Sequence, residues 1–431
     1  MTVSFATSRP MRLGGLGLLY AAQGAPEGLL YVAVPAWLAA NGASAEAIGG
    51  YIAIILLPWS FKLVNGALMD RVAFLPMGRR RPWLIAAQAA LVLTLIAFGA
   101  STPDDANLRR LMLVGFLVNL AGAFQDVAID GMAIDIVPEP ERARANGVMW
   151  GGKILGTSAA AGATGHLIQR HGFAEASMAT AAFVAAIMVI PLLVRERPGE
   201  RLMPWTDGQA SADAASRQLA DWASIVGTLW RAMRRPASLI LAAGIFLAFL
   251  GYGLDTAYGP VVAVKAAGFD ESGYGGLAAG ANLAGGAFGI LLAGVIADRL
   301  SPRRALILSL VGMAAAQVFL AAWPSAMTNT GGFSIYTYAY ILCFVMMSVS
   351  LYAEAMRLST PAVAATQFAL FMAILNFGTY AGAGRFALIE SLTGYAGAAI
   401  AGAIVTLAAA AVFAQGRGST KSDARLHPLA S

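Results

Sequence analysis

Gly66-Ala67-Leu68-Met69-Asp70-Arg71, followed after Val72 to Met77 by Gly78-Arg79-Arg80-Arg81, closes one long apolar run and opens the next. A shorter copy stands in the second half of the chain: Gly294-Val295-Ile296-Ala297-Asp298-Arg299, then Leu300-Ser301-Pro302-Arg303-Arg304. Asp70 and Asp298 are 228 positions apart, slightly more than half of the 431 residues. An apolar helix end bearing Gly-x-x-x-Asp-Arg and clustered arginine, repeated at that spacing, predicts a duplicated membrane bundle. A second pair of loops agrees. Asn41-Gly42-Ala43-Ser44-Ala45-Glu46 leads to Gly49-Gly50, and Ala267-Gly268-Phe269-Asp270-Glu271 leads to Gly275-Gly276.

Composition points the same way. The chain is 58% hydrophobic and 12% charged, where a soluble domain carries about 25% charge. Spread over the whole length, this is a polytopic membrane protein rather than a soluble domain with one anchor. The net charge of +6 does not point to nucleic acid, because the arginines fall between apolar runs, as in loops obeying the positive-inside rule. Cys343 alone gives no disulfide framework. His166, His171 and His427 lack the spacing of metal ligands. Neither metal nor cofactor is expected. Arg9 and Arg12 precede an apolar run from Leu13 to Ala40, longer than the roughly 7–15 residues of a signal-peptide core, so it reads as a retained first helix.

Apolar runs of about 20 residues or more can be marked at 12–40, 47–69, 82–100, 109–137, 143–168, 173–194, 237–265, 272–297, 304–323, 333–358, 361–388 and 393–414. The expectation is an all-α membrane protein of twelve spans in two six-helix bundles. The division is 1–194 for the first bundle, 195–236 for a cytoplasmic linker, 237–414 for the second bundle and 415–431 for a cytoplasmic tail. With both termini inside, 22 of the 29 Lys and Arg fall on the cytoplasmic side and four (Arg109, Arg110, Arg170, Lys265) outside. Lys62, Lys153 and Arg385 then fall within spans. In the linker, Trp222, Ile225, Val226, Leu229 and Met233 have helical spacing, which suits an interfacial helix.

Two parallel six-helix repeats with Gly-x-x-x-Asp-Arg and Gly-Arg-Arg resemble the major facilitator superfamily, in which the substrate site lies between the halves near the midplane. The first copy departs from that pattern by a six-residue insert, Val72 to Met77. Three further stretches resemble the AmpG-type muropeptide permeases and the acetyl-CoA transporters grouped with them: Gln23-Gly24-Ala25-Pro26-Glu27-Gly28-Leu29, Phe124-Gln125-Asp126-Val127-Ala128-Ile129-Asp130-Gly131, and Ala364-Ala365-Thr366-Gln367-Phe368-Ala369-Leu370. Gly78-Arg79-Arg80-Arg81-Pro82-Trp83 fits the same branch. After Lys62 that branch often has an aromatic-Pro pair, where this chain has Val64-Asn65-Gly66-Ala67. The resemblance implies carriage of muropeptides, acyl-CoA or siderophores. Gly151, Gly152, Gly156, Gly162 and Gly165 stand in the fifth run without the proline of an antiporter motif, so close helix packing is expected there.

A charge within a span costs about 2.5–3.5 kcal/mol on insertion scales, which singles out the intramembrane ionisable residues. Asp126 and Asp130 share one helix face with Gln125 beside them, and two carboxylates one turn apart repel, which suits proton exchange. Glu27 and Asp255 are again 228 positions apart and are expected to line a cavity, their helices loosened by Gly24, Pro26 and Gly28 and by Gly251, Gly253 and Gly259. Lys153 and Arg385 are candidates for binding an anionic solute or neutralising the aspartates. Lys62, two turns from the cytoplasmic end, is equally placed to snorkel. Asp70 lies at a helix C-terminus, the wrong end of the dipole for a carboxylate, so it is expected to bond a neighbouring helix start or arginine. Together with Arg71, Arg79 and Arg80, and with Asp298 and Arg299 in the second copy, it is a candidate gate. Glu354 and Arg357 form a further candidate gating pair.

The sequence therefore predicts a proton-driven secondary transporter of a bacterial inner membrane, monomeric, importing a bulky anionic solute such as an anhydromuropeptide. A siderophore or acyl-CoA-type substrate is the alternative. The lipid bilayer and a small-molecule substrate are its expected partners, and nucleic acid is not. A membrane-embedded transferase is the remote alternative, because no nucleophile or metal constellation is evident. No P-loop is present, so the driving force is an ion gradient.

Overall fold

A computed structural model describes residues 4–101, 108–219 and 221–415. The expected tail, beyond Gln415, lies outside the described residues. Among those described, all regular structure is helical except one isolated parallel bridge, Ser4 to Arg195.

Backbone detail repeats along with the sequence. Gly42 and Gly268 both take φ +82° just past a helix end, a left-handed cap that favours glycine. Two residues later Ser44 and Asp270 cap the next helix, accepting from the amides of Ala47 (3.1 Å) and Gly273 (2.7 Å). The duplication is therefore carried by the capping chemistry as well as by the motif.

Ten described helical stretches are long and apolar enough to cross a membrane. The remaining two expected spans are helical but more polar. The first runs Arg9–Gly28, through a π-helical turn at Leu29–Ala33, to Val34–Ala40. The fifth, Arg142–His171, carries Lys153 in a run of small residues. Large apolar side chains such as Leu113, Leu291 and Ile404 are exposed, as a lipid-facing surface requires.

The chain divides into two compact units, Met1–Leu229 with Ser359–Leu370, and Trp230–Leu358 with Phe371–Ser431. In the first unit, the first span packs most extensively on the fifth. A Cβ on Gly24 or Gly28 would strike the backbone of Lys153 and Thr157, and one on Gly152 or Gly156 the carbonyls of Gly17 and Ala21. Gly24 and Gly28 thus serve close approach rather than loosening the helix. Gly162 and Gly165 meet nothing within 4 Å. In the second unit, Pro302–Ala322 packs against Thr330–Leu358 and Phe386–Gln415. There, too, Gly251 and Gly253 are contact positions, facing Thr406 and Thr379.

Two differences from the sequence reading concern placement. The eleventh span ends at Ala383, Gly384-Arg385 form the turn, and a kink at Gly394 (φ +68°) interrupts the helix Phe386–Gln415. The linker is not a loose polar stretch: its first part is folded onto the first unit, and the expected amphipathic helix forms as Trp222–Met233, burying Ile225 and exposing Trp222 and Val226.

Candidate functional site

The first unit holds a buried network of charge. Asp126 and Asp130 project one turn apart from Leu108–Ile136, 4% and 7% exposed. Lys62 Nζ lies 2.5 Å from Asp126 Oδ2, and Gln23 Nε2 donates to Asp126 Oδ1 at 2.6 Å. Asp130 accepts from the Tyr20 hydroxyl. Gln125 donates to the Leu19 carbonyl at 3.1 Å, tying the fourth span to the first. Glu27 Oε1 lies 2.9 Å from Lys153 Nζ. The two ion pairs meet at Trp59, whose ring centroid is 4.7 Å from Lys62 Nζ and 5.4 Å from Lys153 Nζ, within cation–π range. The indole N–H is held by Tyr31 at 2.7 Å and Asn119 at 3.2 Å. Lys62 therefore turns inward rather than snorkelling. The 3-10 turn Leu57–Phe61, which contains Pro58, tightens the helix just before it.

At the arginine-rich end of the same unit, Asp70 is fully buried. Its Oδ1 lies 2.5 Å from Arg80 Nη2 and 3.2 Å from Arg79 Nη2. Its Oδ2 accepts from Thr366 N (2.9 Å) and Thr366 Oγ1 (2.7 Å). Thr366 belongs to the first turn of Ala364–Ala383, so the carboxylate exchanges the unfavourable end of its own helix for the favourable start of another. Arg79 also donates to the carbonyls of Pro361 (2.6 Å) and Ala362 (2.7 Å). Arg80 Nε reaches Asp135 Oδ2 at 3.2 Å, and Arg217 reaches Asp135 Oδ1 at 2.8 Å. Burial, with Arg80 beside it, lowers Arg79 to about 10, still charged at neutral pH. Burial opposes the charge on Arg80 as well, but Asp70 and Asp135 hold it above the usual arginine range.

Glu196 of the linker accepts from the amides of Arg79 (3.3 Å), Arg80 (2.9 Å) and Arg81 (2.9 Å) at the start of Arg81–Gly99, a carboxylate cap on a helix N-terminus. Gly78 makes room for it: its φ is +105°, and a Cβ there would lie 2.6 Å from Glu196 Oε2. The six-residue insert now has a structural role. Pro76 O accepts from Arg201 N at 2.7 Å, and Val72 O accepts from Trp83 Nε1 at 2.6 Å. Gln218 donates to Arg71 O at 2.6 Å. The insert and the half-buried Arg71 seat the linker.

The second unit is built differently. Asp255 accepts from the Tyr336 hydroxyl and forms no ion pair among the described residues. Asp298 is half-buried and Arg299 exposed. Arg303 donates through Nε to the Phe413 carbonyl at 2.9 Å, near the end of Phe386–Gln415. Arg357 Nη2 and Glu354 Oε2 pair at 2.8 Å. Arg385 is exposed in its turn rather than inside a span, which removes it from the buried cations.

The sequence pattern of the Major Facilitator Superfamily matches residues 16–383. The chain belongs to the Major Facilitator Superfamily. Among its relatives, the anhydromuropeptide permease of Escherichia coli (strain K12) is 25% identical over 360 residues, 83% of this chain and 70% of that protein. Of solved structures, the human organic anion transporter MFSD10 (TETRAN) is 14% identical with a TM-score of 0.71, covering 94% of this chain and 100% of that one. The proton:xylose symporter XylE is 13% identical with a TM-score of 0.65, covering 94% of each chain. These two likenesses show the major facilitator fold. As a member of that superfamily the protein is a multi-pass membrane transporter and not an enzyme.

Within this superfamily scaffold the sequence reading left several partners unassigned. Tyr20, Trp59, Tyr31 and Asn119 look like ordinary span residues, and only their contacts reveal them. Gln23 and Thr366 lie inside stretches already singled out, and each proves to bind a buried aspartate. Glu196 and Arg217 were hidden in a polar linker whose composition reads as loop.

Proposed function

We propose that the chain is a proton-coupled importer of a bulky anionic solute, with anhydromuropeptide as the first candidate. It would act in a bacterial inner membrane with its arginine-rich loops and both termini cytoplasmic. The observation that carries this reading is an imbalance of charge. Among the described residues, the cations paired with Glu27, Asp126 and Asp130 are Lys62 and Lys153, and Glu27 and Asp126 take up both. A third ionised carboxylate in a dry interior costs several kcal/mol, so Asp130, which accepts from Tyr20 and pairs with neither lysine among the described residues, is the natural seat of an exchangeable proton.

An anionic group on the solute competes with Glu27 for Lys153 and with Asp126 for Lys62. That displacement adds uncompensated negative charge, so it is favourable only while Asp130 holds a proton taken from the open side, and solute and proton enter together. Release reverses both steps. The Trp59 ring couples the two lysines and offers a face to an apolar or sugar portion of the solute. The bonds of Asp70 to Thr366 and of Arg79 to Pro361 and Ala362 act as the latch of one state, made when the arginine-rich side is closed and released when it opens. The similarity to the E. coli anhydromuropeptide permease supports the choice of solute, and the arginine asymmetry supports the orientation.

Uptake into proteoliposomes under an imposed pH gradient tests this reading, with anhydromuropeptide, a ferric siderophore and acetyl-CoA offered in parallel. The expected result is gradient-driven accumulation of the muropeptide, lost in Asp126→Asn. Accumulation indifferent to the gradient would remove the proton, and preferential uptake of another solute would replace the substrate.

A further inference from the structure

The second unit encloses a cavity that the transport reading above does not use. Its walls include Leu254, Asp255, Tyr258, Gln317, Tyr336 and Phe386. Its free interior is close to the size of one water molecule. Three features of the wall are unusual for so apolar a unit.

First, Asp255 brings a negative charge that no lysine or arginine of the described residues matches. Its one hydrogen-bond donor is Tyr336. The other titratable groups acting around it are the phenols of Tyr252, Tyr258, Tyr274 and Tyr340. Second, the Tyr258 hydroxyl, on a residue 3% exposed, has no hydrogen-bond partner among the described residues. Third, Gln317 Oε1, on a residue 2% exposed, has none either. Buried polar atoms left unpaired cost about 1–3 kcal/mol each, and here two of them line one small space beside an uncompensated carboxylate.

A carboxylate, an amide oxygen and a phenolic oxygen are all hard oxygen donors, the set that suits alkali and alkaline-earth cations rather than transition metals. Only one of them is charged. A divalent ion would leave an excess positive charge among Phe and Tyr side chains, whereas a monovalent ion brings the site to neutrality. We propose that this cavity binds one dehydrated alkali cation, coordinated by Asp255, Gln317 and Tyr258, with Tyr336 orienting the carboxylate. The site lies wholly within the second unit. It is independent of Lys62, Lys153 and their carboxylates, so it stands or falls separately from proton-coupled import.

Thermal unfolding of the purified full-length chain in detergent at pH 8 tests the proposal. Ionic strength is held constant while N-methylglucamine chloride is replaced by NaCl or by KCl. The expected result is a saturable rise in melting temperature with at least one of the two alkali ions. The rise is absent in Asp255→Asn. In Gln317→Ala its midpoint moves to about tenfold higher cation concentration, as the loss of one oxygen ligand implies. If Asp255→Asn does not yield folded protein, Tyr258→Phe, which keeps the ring and removes the oxygen, carries the test through the same shift of midpoint. No alkali-dependent rise in the wild type, or an unchanged rise in Asp255→Asn or Tyr258→Phe, overturns the proposal and leaves the cavity to water or a proton.

Discussion

The interiors of the two units have diverged while their scaffolds have not. Gly42 and Gly268 share a φ of +82°, and Ser44 and Asp270 share a capping role. Glu27 and Asp255 occupy equivalent sequence positions, yet Glu27 is ion-paired with Lys153 while Asp255 rests against tyrosines. The arginine-rich loops repeat the contrast. Asp70 is fully buried among Arg79, Arg80 and Thr366, whereas Asp298 is half-buried beside an exposed Arg299. A repeat motif therefore identifies where a residue stands in the fold, and its partners decide what it does there.

The contrast can be broken most severely at the loops. Asp70→Ala leaves Arg79 and Arg80 buried without their shared carboxylate, and removing one member of a buried pair costs about 3–5 kcal/mol. A large fall in melting temperature is expected. Asp298→Ala in the same scan should cost under about 1 kcal/mol, as for a partly solvated charge. Equal effects at the two positions would erase the difference between the copies.

A somewhat smaller effect is expected in the charged interior. Lys153→Met strands Glu27 and should lower both stability and uptake. Lys153→Met combined with Glu27→Gln should restore most of the stability without restoring uptake, and a double-mutant cycle measures the coupling. If the double variant is no more stable than Lys153→Met alone, the pair is not the interaction that holds these residues.

Packing sharpens the comparison next. Gly156→Val drives a side chain into the Ala21 backbone and should cost about 1–3 kcal/mol. Gly162→Ala, six residues on, meets open space and should leave the melting temperature unchanged or slightly raised. Thermal unfolding of the two variants side by side separates these outcomes.

The smallest effect concerns the linker, which the second copy of the loop lacks. Burial, and then Glu196 beside it, raises Glu200 to about 7 from an ordinary 4.5. Its folded form thus holds a proton more tightly than its unfolded form. The resulting stability is fully present below about pH 4.5 and is lost as pH rises through about 7. The difference in melting temperature between the wild type and Glu200→Gln should therefore shift against the wild type across that window, and a flat difference removes Glu200 as its cause.

Much of the fold was legible because a bilayer imposes long apolar runs and asymmetric arginine, and both survive without knowledge of contacts. The eleventh span was drawn past its end, to 388, because Phe386 to Leu388 continue the apolar run and only the turn at Gly384-Arg385 marks the boundary. At the candidate site, Asp126, Asp130, Glu27 and Lys153 stood out through the cost of intramembrane charge. Their pairing did not, because which lysine meets which carboxylate depends on helix rotation. Here a 3-10 turn at Leu57–Phe61 precedes Lys62, and glycines bring the first span onto the fifth. The insert Val72 to Met77 was opaque for a similar reason: its partner, Arg201, lies in the linker far along the chain.

The central claim, that the surplus carboxylate of the first unit couples solute to proton, is tested most directly with Asp130→Asn in proteoliposomes. Anhydromuropeptide movement is followed both as accumulation under an inward proton gradient and as counterflow without one. The account expects the variant to lose accumulation while retaining counterflow, since the solute still meets Lys62 and Lys153. Gradient-driven accumulation equal to the wild type in Asp130→Asn would contradict it.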